Sequence, residues 1–187
     1  MTSQMTNPVE ATRERTSTEL ARLLADTYAT YQKTLYYHWN VTGSHFHSLH
    51  LMFEEQYQEL QLAIDVLAER MRQLGTTTPA FGQPTTSQTN VPGDTDVPTA
   101  MDMVNALVDA HEITVRTARS VVETAEDRGD VGTADIATER IEAHRRPSGC
   151  CEPPPLDARF LISSTVPAGV PIGQARRLQA LGCTSIS

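Results

Sequence analysis

The stretch His50-Leu51-Met52-Phe53-Glu54-Glu55-Gln56-Tyr57-Gln58-Glu59-Leu60-Gln61-Leu62-Ala63-Ile64-Asp65-Val66-Leu67-Ala68-Glu69-Arg70-Met71 decides the fold. Phe53, Tyr57, Leu60, Ile64, Leu67 and Met71 recur at three- and four-residue steps, which predicts a helix with one buried face. Two polar pairs, His50 with Glu54 and Asp65 with Glu69, share another face. With His50 at zero, Glu54, Asp65 and Glu69 fall near ~40°, ~60° and ~100°. Each pair is an i,i+4 neighbour pair. Glu54 and Asp65 nevertheless lie about 16 Å apart along the axis, so one helix cannot bring both pairs to one ion. Two antiparallel copies can. A two-fold axis between residues 59 and 60 sets His50 opposite Glu69 and Glu54 opposite Asp65, a self-complementary contact with two identical nitrogen–oxygen sites. Such ligands suit iron, zinc or manganese.

Outward from this helix, predicted over 48–74, the pattern stays helical. Leu20, Leu24, Tyr28 or Ala29, Tyr31, Leu35 and Trp39 form a stripe on a helix starting near Thr16, with Ser17 as a possible cap and Thr42-Gly43 as its stop. Gly75 suits the position just past the second helix. Residues 76–98, rich in Thr, Pro, Gly and Asp, read as a long crossover. A third helix starts near Pro98-Thr99 and carries Met103, Leu107, Ala110, Ile113, Val115 and Val122; it ends before Gly129. A fourth opens at Asp130 or Thr133 and contains Ile136 and Ile141. Two helices, a crossover and two more helices predict an all-α, ferritin-like four-helix bundle.

The domain plan is a flexible arm over 1–15, the bundle over 16–144, and a separate tail over 145–187. Pro147, Gly149 and the run Pro153-Pro154-Pro155 predict that the fourth helix is truncated and the tail disordered. Charge changes sign at the same place. Residues 1–144 carry 10 Lys+Arg against 21 Asp+Glu, a net −11, whereas residues 145–187 carry 5 against 2, a net +3. The only lysine is Lys33. An acidic, lysine-poor domain suggests a salt-rich, halophilic cytoplasm and argues against direct DNA binding, which rests on neutralising phosphates. The arm, with Glu10, Arg13, Glu14 and Arg15 as its charges, adds no positive excess. No apolar run approaches the ~20 residues of a membrane span, and the N-terminus lacks a signal-peptide core, so the expected location is cytoplasmic. All three cysteines (Cys150, Cys151, Cys183) lie in the tail, where their spacing makes no zinc site.

His38-Trp39-Asn40-Val41, then His50 to Glu54, then Asp65 to Arg70 closely resembles the Dps family, the mini-ferritins, over about residues 18–144. The spacing from His38 to His50, Glu54, Asp65 and Glu69 is specific, and the intrahelical Glu-x-x-His of ordinary ferritin-like di-iron sites is missing. The resemblance implies that His38, His50 and Glu54 of one subunit meet Asp65 and Glu69 of its two-fold mate. It implies Trp39 beside this site as an electron relay. It further implies a hollow dodecamer built from dimers that oxidises Fe(II) with hydrogen peroxide at di-iron sites, stores a ferric mineral core, protects against oxidative stress and associates with the nucleoid. Many members have Asp where this chain has Glu54, which bears on the second iron position.

The plainer reading of any one of these residues alone is a hydrogen-bonded histidine or a solvated acidic face. Five residues meeting one spacing rule favour the metal. His45 and His47 read as surface or iron-access residues, and Tyr36, Tyr37 and Tyr57 as core or interface. Glu126, Asp127, Asp130, Asp135 and Glu139 are either a three-fold pore lining, as in the family, or generic acidic surface.

Family members continue after the position of His144 with Glu-Lys-x-x-Trp-Met-Leu; this chain reads Arg145-Arg146-Pro147-Ser148-Gly149-Cys150-Cys151-Glu152. The codons CGA AGA CCG TCT GGA TGC TGC GAG CCN encode residues 145–153. Read from the last base of the first codon, they spell Lys-Thr-Val-Trp-Met-Leu-Arg-Ala. The tail is therefore compatible with a shifted reading frame. Two other functions stay open: a non-enzymatic helical bundle sequestering divalent metal, and an inactive frame-shifted product.

Overall fold

The computed structural model describes residues 8–79 and 88–150, with side chains over 13–79 and 88–145. Four helices make up the described residues, with no strand: α1 (Pro8–Asn40), α2 (Phe46–Gln73), α3 (Ala100–Glu126) and α4 (Val131–Cys150). The chain divides between Glu152 and Pro153, and every described residue belongs to the first unit. Of the tail expected to be disordered, residues 145–150 are described and helical, and the rest falls outside the described residues. Among the described residues no helix is long and apolar enough to cross a membrane.

The local signals place most boundaries. Thr99 caps α3, its hydroxyl accepting from the Asp102 amide. Gly43, Gly75 and Gly129 take positive φ just past the first three helices, a conformation that costs a residue without Cβ little. Two ends differ from expectation. α1 starts at Pro8, well ahead of Thr16, because proline suits the first helical position: its φ is preset and its missing N–H has no partner there anyway. α4, described to Cys150, is the shortest helix at 20 residues, as its expected truncation requires, although it runs past His144 and Pro147. A proline in a last turn removes one hydrogen bond rather than several.

α1 packs on α2 and on α3, and α3 on α4. Leu20, Leu23, Leu24, Leu67, Met71, Ala118, Val121, Ala137 and Ile141 fill one end of the bundle. Tyr37, Val41, Phe53, Met103 and Leu107 fill the other; none of these comes from α4. Trp39, expected on the apolar stripe, is 68% exposed. The stripe shifts register toward the end of α1, and Tyr37 and Val41 take the core positions instead.

Between α1 and α3 the seam is lined with threonines. Thr27, Thr30 and Thr34 on α1 and Thr114, Thr117 and Thr124 on α3 are buried. Most satisfy their hydroxyls on their own helix, as Thr30 does on the Asp26 carbonyl at 2.8 Å and Thr114 on the Ala110 carbonyl at 2.9 Å. Thr30 and Thr114 also meet across the seam at 3.2 Å.

The crossover is tied along α1. Asp26, fully buried, accepts from the Thr89 hydroxyl and the Asn90 amide, both at 2.8 Å, and from the Thr117 hydroxyl of α3 at 2.6 Å. Further along, Lys33 Nζ donates to Asp94 at 2.7 Å and the Tyr37 hydroxyl donates to the same carboxylate at 3.0 Å. Burial, then the Asp94 carboxylate, push the Tyr37 phenol well above its ordinary pKa. Residues 89–94 thus run alongside α1, toward the end where α3 begins.

Candidate metal centre

α1 and α2 are joined by a tight turn in which Gly43 has φ +101° and its carbonyl accepts from the Phe46 amide at 3.1 Å. This turn brings His38, at the end of α1, against His50, in the first turns of α2. Their rings stack with centroids 3.8 Å apart and planes 20° apart.

The two imidazoles lock each other. His38 Nδ1 lies 3.0 Å from the His50 carbonyl, and His50 Nδ1 lies 2.9 Å from the His38 carbonyl. A carbonyl oxygen only accepts, so each Nδ1 carries a hydrogen and donates it. Each Nε2 is then left with a free lone pair, the form in which imidazole binds a metal. A ligand histidine usually has its other nitrogen fixed in this way by a carbonyl or carboxylate; here the two backbones do it reciprocally.

Phe46 stacks on the outer side of His50 at 5.0 Å, and Tyr57 meets His38 edge-on at 5.2 Å. Glu54 is half-buried one turn beyond His50 and accepts from Gln58 Nε2 at 3.3 Å. The structure therefore brings His38 and His50 together, with Glu54 on the same helix end.

Asp65 and Glu69 lie further along α2, both exposed. Among the described residues neither makes a side-chain hydrogen bond or ion pair. Within one chain, no three His, Cys, Asp or Glu side chains converge among the described residues. The face carrying Asp65 and Glu69 also exposes Leu51 (44%), Leu62 (72%) and Val66 (47%). Large apolar side chains interleaved with uncommitted carboxylates are what a covered face looks like before its cover is added.

His45 and His47 are exposed, as expected of surface residues. Of the acidic cluster, Asp130 has an internal role. It pairs with Arg70 at 2.5 Å and takes the Thr133 hydroxyl at 2.8 Å and the Thr133 amide at 3.1 Å, capping α4. Burial alone raises its pKa, but the Thr133 bonds and the Arg70 guanidinium outweigh this and hold it below the ordinary value. Glu126, Asp127, Asp135 and Glu139 are exposed.

A second histidine pair escaped the sequence reading. His111 and His144 are 3% and 1% exposed, and their Nδ1 atoms lie 2.7 Å apart across the α3–α4 contact. One Nδ1 donates and the other accepts. Both Nε2 atoms are buried with no partner. Burial lowers His111 to a pKa of about 4. His144 falls well below the ordinary range, through burial first and then the nearby His111 and Arg140 charges. The available signal was that both occupy apolar-stripe positions, four residues after Leu107 and three after Ile141.

Comparison with known proteins gives one consistent result. The family model for the ferritin-like domain matches residues 17–146. A low temperature-induced protein of Nostoc sp. is 41% identical over 126 residues, 65% of this chain and 69% of the relative. A DNA protection during starvation protein of Brevibacillus brevis is 31% identical over 128 residues, covering 67% of this chain and 86% of the relative. Among solved structures, the Dps protein of Vibrio cholerae aligns at a TM-score of 0.70 with 30% identity, over 78% of this chain and 94% of that one. That protein is described as belonging to a broad superfamily of ferritin-like diiron-carboxylate proteins.

Proposed function

Because this chain belongs to the ferritin-like family, in its Dps branch, we propose that it binds Fe(II), oxidises it with hydrogen peroxide and stores the ferric product. The observation that carries this reading is the reciprocal His38–His50 lock, which engages both Nδ1 atoms and leaves both Nε2 atoms for a metal. His38, His50 and Glu54 of one subunit hold the iron, and Asp65 and Glu69 of the two-fold mate complete the site. The exposed apolar face around Leu62 supports that dimer, and the family resemblance extends it to a twelve-subunit shell. Two Fe(II) ions together supply both electrons that peroxide needs: 2 Fe(II) + H2O2 + 2 H+ gives 2 Fe(III) + 2 H2O. Pairing the ions avoids the one-electron reduction that releases hydroxyl radical. Trp39 stands beside this site as an expected electron relay, and its exposure leaves it room at the dimer contact.

Three further readings go with this. The net charge of −8 supports no direct DNA binding by the chain. Residues 145–187 read as a shifted frame, supported by the family match ending at Arg146; finding the family ending in no frame of the source DNA overturns this. A bundle that sequesters metal without turnover is the competing function, and it takes up metal while leaving peroxide unconsumed.

Complementation tests both the chemistry and the sharing of the site. His50→Ala and Asp65→Ala chains are each expected to lose most peroxide-driven Fe(II) oxidation. Unfolded together and refolded, about half of the dimers are mixed, and each mixed dimer has one site with both native ligands, so about a quarter of the sites recover. No recovery, with both variants folded, means that the ligands do not meet across a dyad. Parent activity no higher than that of a His50→Ala/Asp65→Ala double variant means that this is not the iron site.

A further inference from the structure

The ring contacts at the histidine pair continue well past it. Tyr57, edge-on to His38 at 5.2 Å, lies 6.4 Å from Tyr31, again edge-on. Tyr31 lies 6.0 Å from Tyr28. From the iron-facing imidazoles, three phenols thus follow one another in van der Waals reach. Tyr28 is ten residues before His38 on α1, about 15 Å along the axis. All three tyrosines are partly buried rather than sealed, so a phenol proton has a route to water. At the opposite end of the stack stands Phe46, which is far harder to oxidise than a phenol. The run therefore has a direction. Tyr36 and Tyr37 form a separate group packed on Phe53. Trp39 makes no ring contact with any described residue.

We propose that Tyr57, Tyr31 and Tyr28 form a ladder that draws single oxidising equivalents away from the iron site when it holds only one Fe(II). The inference rests on the iron-oxidising reading above. Peroxide needs two electrons, and a half-filled site offers one. Tyr57 supplies the other and releases its phenol proton: Fe(II) + TyrOH + H2O2 + H+ gives Fe(III) + TyrO• + 2 H2O. The radical moves when Tyr31 gives an electron to Tyr57, Tyr31 releasing its phenol proton to water as Tyr57 takes one up, and then Tyr28 does the same for Tyr31. A later Fe(II) ends it: TyrO• + Fe(II) + H+ gives TyrOH + Fe(III). The ladder lets the site complete a two-electron reduction without a second bound ion, and parks the oxidant on groups remote from the ligands.

The test uses the full-length protein, loaded anaerobically with one Fe(II) per site and mixed with one equivalent of hydrogen peroxide. Freeze-quenched electron paramagnetic resonance reads the radical, absorbance reads Fe(III), and a spin trap reads hydroxyl radical. The parent is expected to show a tyrosyl signal formed with Fe(III). Tyr57→Phe, which keeps the ring, is expected to lose most of that signal and to raise the hydroxyl adduct. Tyr31→Phe is expected to keep the signal, confined to Tyr57. If the parent oxidises iron while Tyr57→Phe leaves the signal unchanged, the ladder is overturned and the iron site stands. A signal lost from Trp39→Phe and kept in Tyr57→Phe also overturns it. Iron oxidation in the parent no faster than in His50→Ala/Asp65→Ala overturns the iron site, and the ladder with it.

Discussion

Lowering the pH from 7.5 to 5.0 is expected to remove about 2 kcal/mol of folding stability through His111 alone. The cause is the buried pair between α3 and α4. In the unfolded chain a histidine takes up its proton near pH 6.5. In the fold, burial holds His111 down to about 4, and burial lowers His144 in the same direction. The sign follows from proton uptake. Below pH 6.5 the unfolded chain binds a proton that the folded chain refuses, so the stability these groups contribute is complete above 6.5. It falls as the pH approaches the folded value. The gap between 6.5 and about 4 corresponds to about 3 kcal/mol for His111 at full effect. Against a total of roughly 5–15 kcal/mol, that is a large share. Urea denaturation at the two pH values measures it. His111→Leu/His144→Leu removes both polar partners together, which can be nearly neutral at pH 7.5, and is expected to flatten the pH dependence. A parent whose stability does not change between pH 7.5 and 5.0 refutes the account.

The second large effect is expected at Asp26. Its carboxyl ties α1 to α3 through Thr117 and to the crossover through Thr89 and Asn90. Asp26→Ala leaves the buried Thr117 hydroxyl and the part-buried Thr89 hydroxyl and Asn90 amide without their acceptor. Unpaired buried donors cost roughly 1–3 kcal/mol each, and some relax or find water, so a loss of about 3 kcal/mol or more is expected. Asp26→Asn keeps a carbonyl oxygen and is expected to lose less. Because the crossover loses its tie at Thr89 and Asn90, thermolysin is expected to cut ahead of Val91 faster in Asp26→Ala than in the parent. Equal denaturation midpoints for parent and Asp26→Ala contradict this role.

Sequence periodicity was enough to find four helices and most of their ends, though not the start of α1, because leucines at three- and four-residue steps and glycines past helix ends carry that information locally. It did not reveal the α1–α3 seam. Threonines hide from a hydrophobic pattern, yet they bury well once each hydroxyl bonds its own helix carbonyl. Asp26 and the His111–His144 pair were missed for a related reason: their meaning comes from a partner 91 or 33 residues away in sequence. The candidate site was half legible. The spacing foretold that His38 and His50 belong together, whereas the reciprocal lock depends on the turn at Gly43, which spacing does not specify. Asp65 and Glu69 could be read as a pattern, but among the described residues nothing of their own chain pairs with them.

Lys33 has a practical side. It is the only lysine, it is 7% exposed, and its ammonium is held by Asp94 and by Tyr37 at 3.3 Å. Reagents that attack side-chain amines therefore find a single target, and only while Asp94 is pulled away. Acylation of Lys33, followed by mass spectrometry, becomes a clock for the opening of the crossover. A single lysine-specific cut would report the same opening by dividing the chain into two fragments.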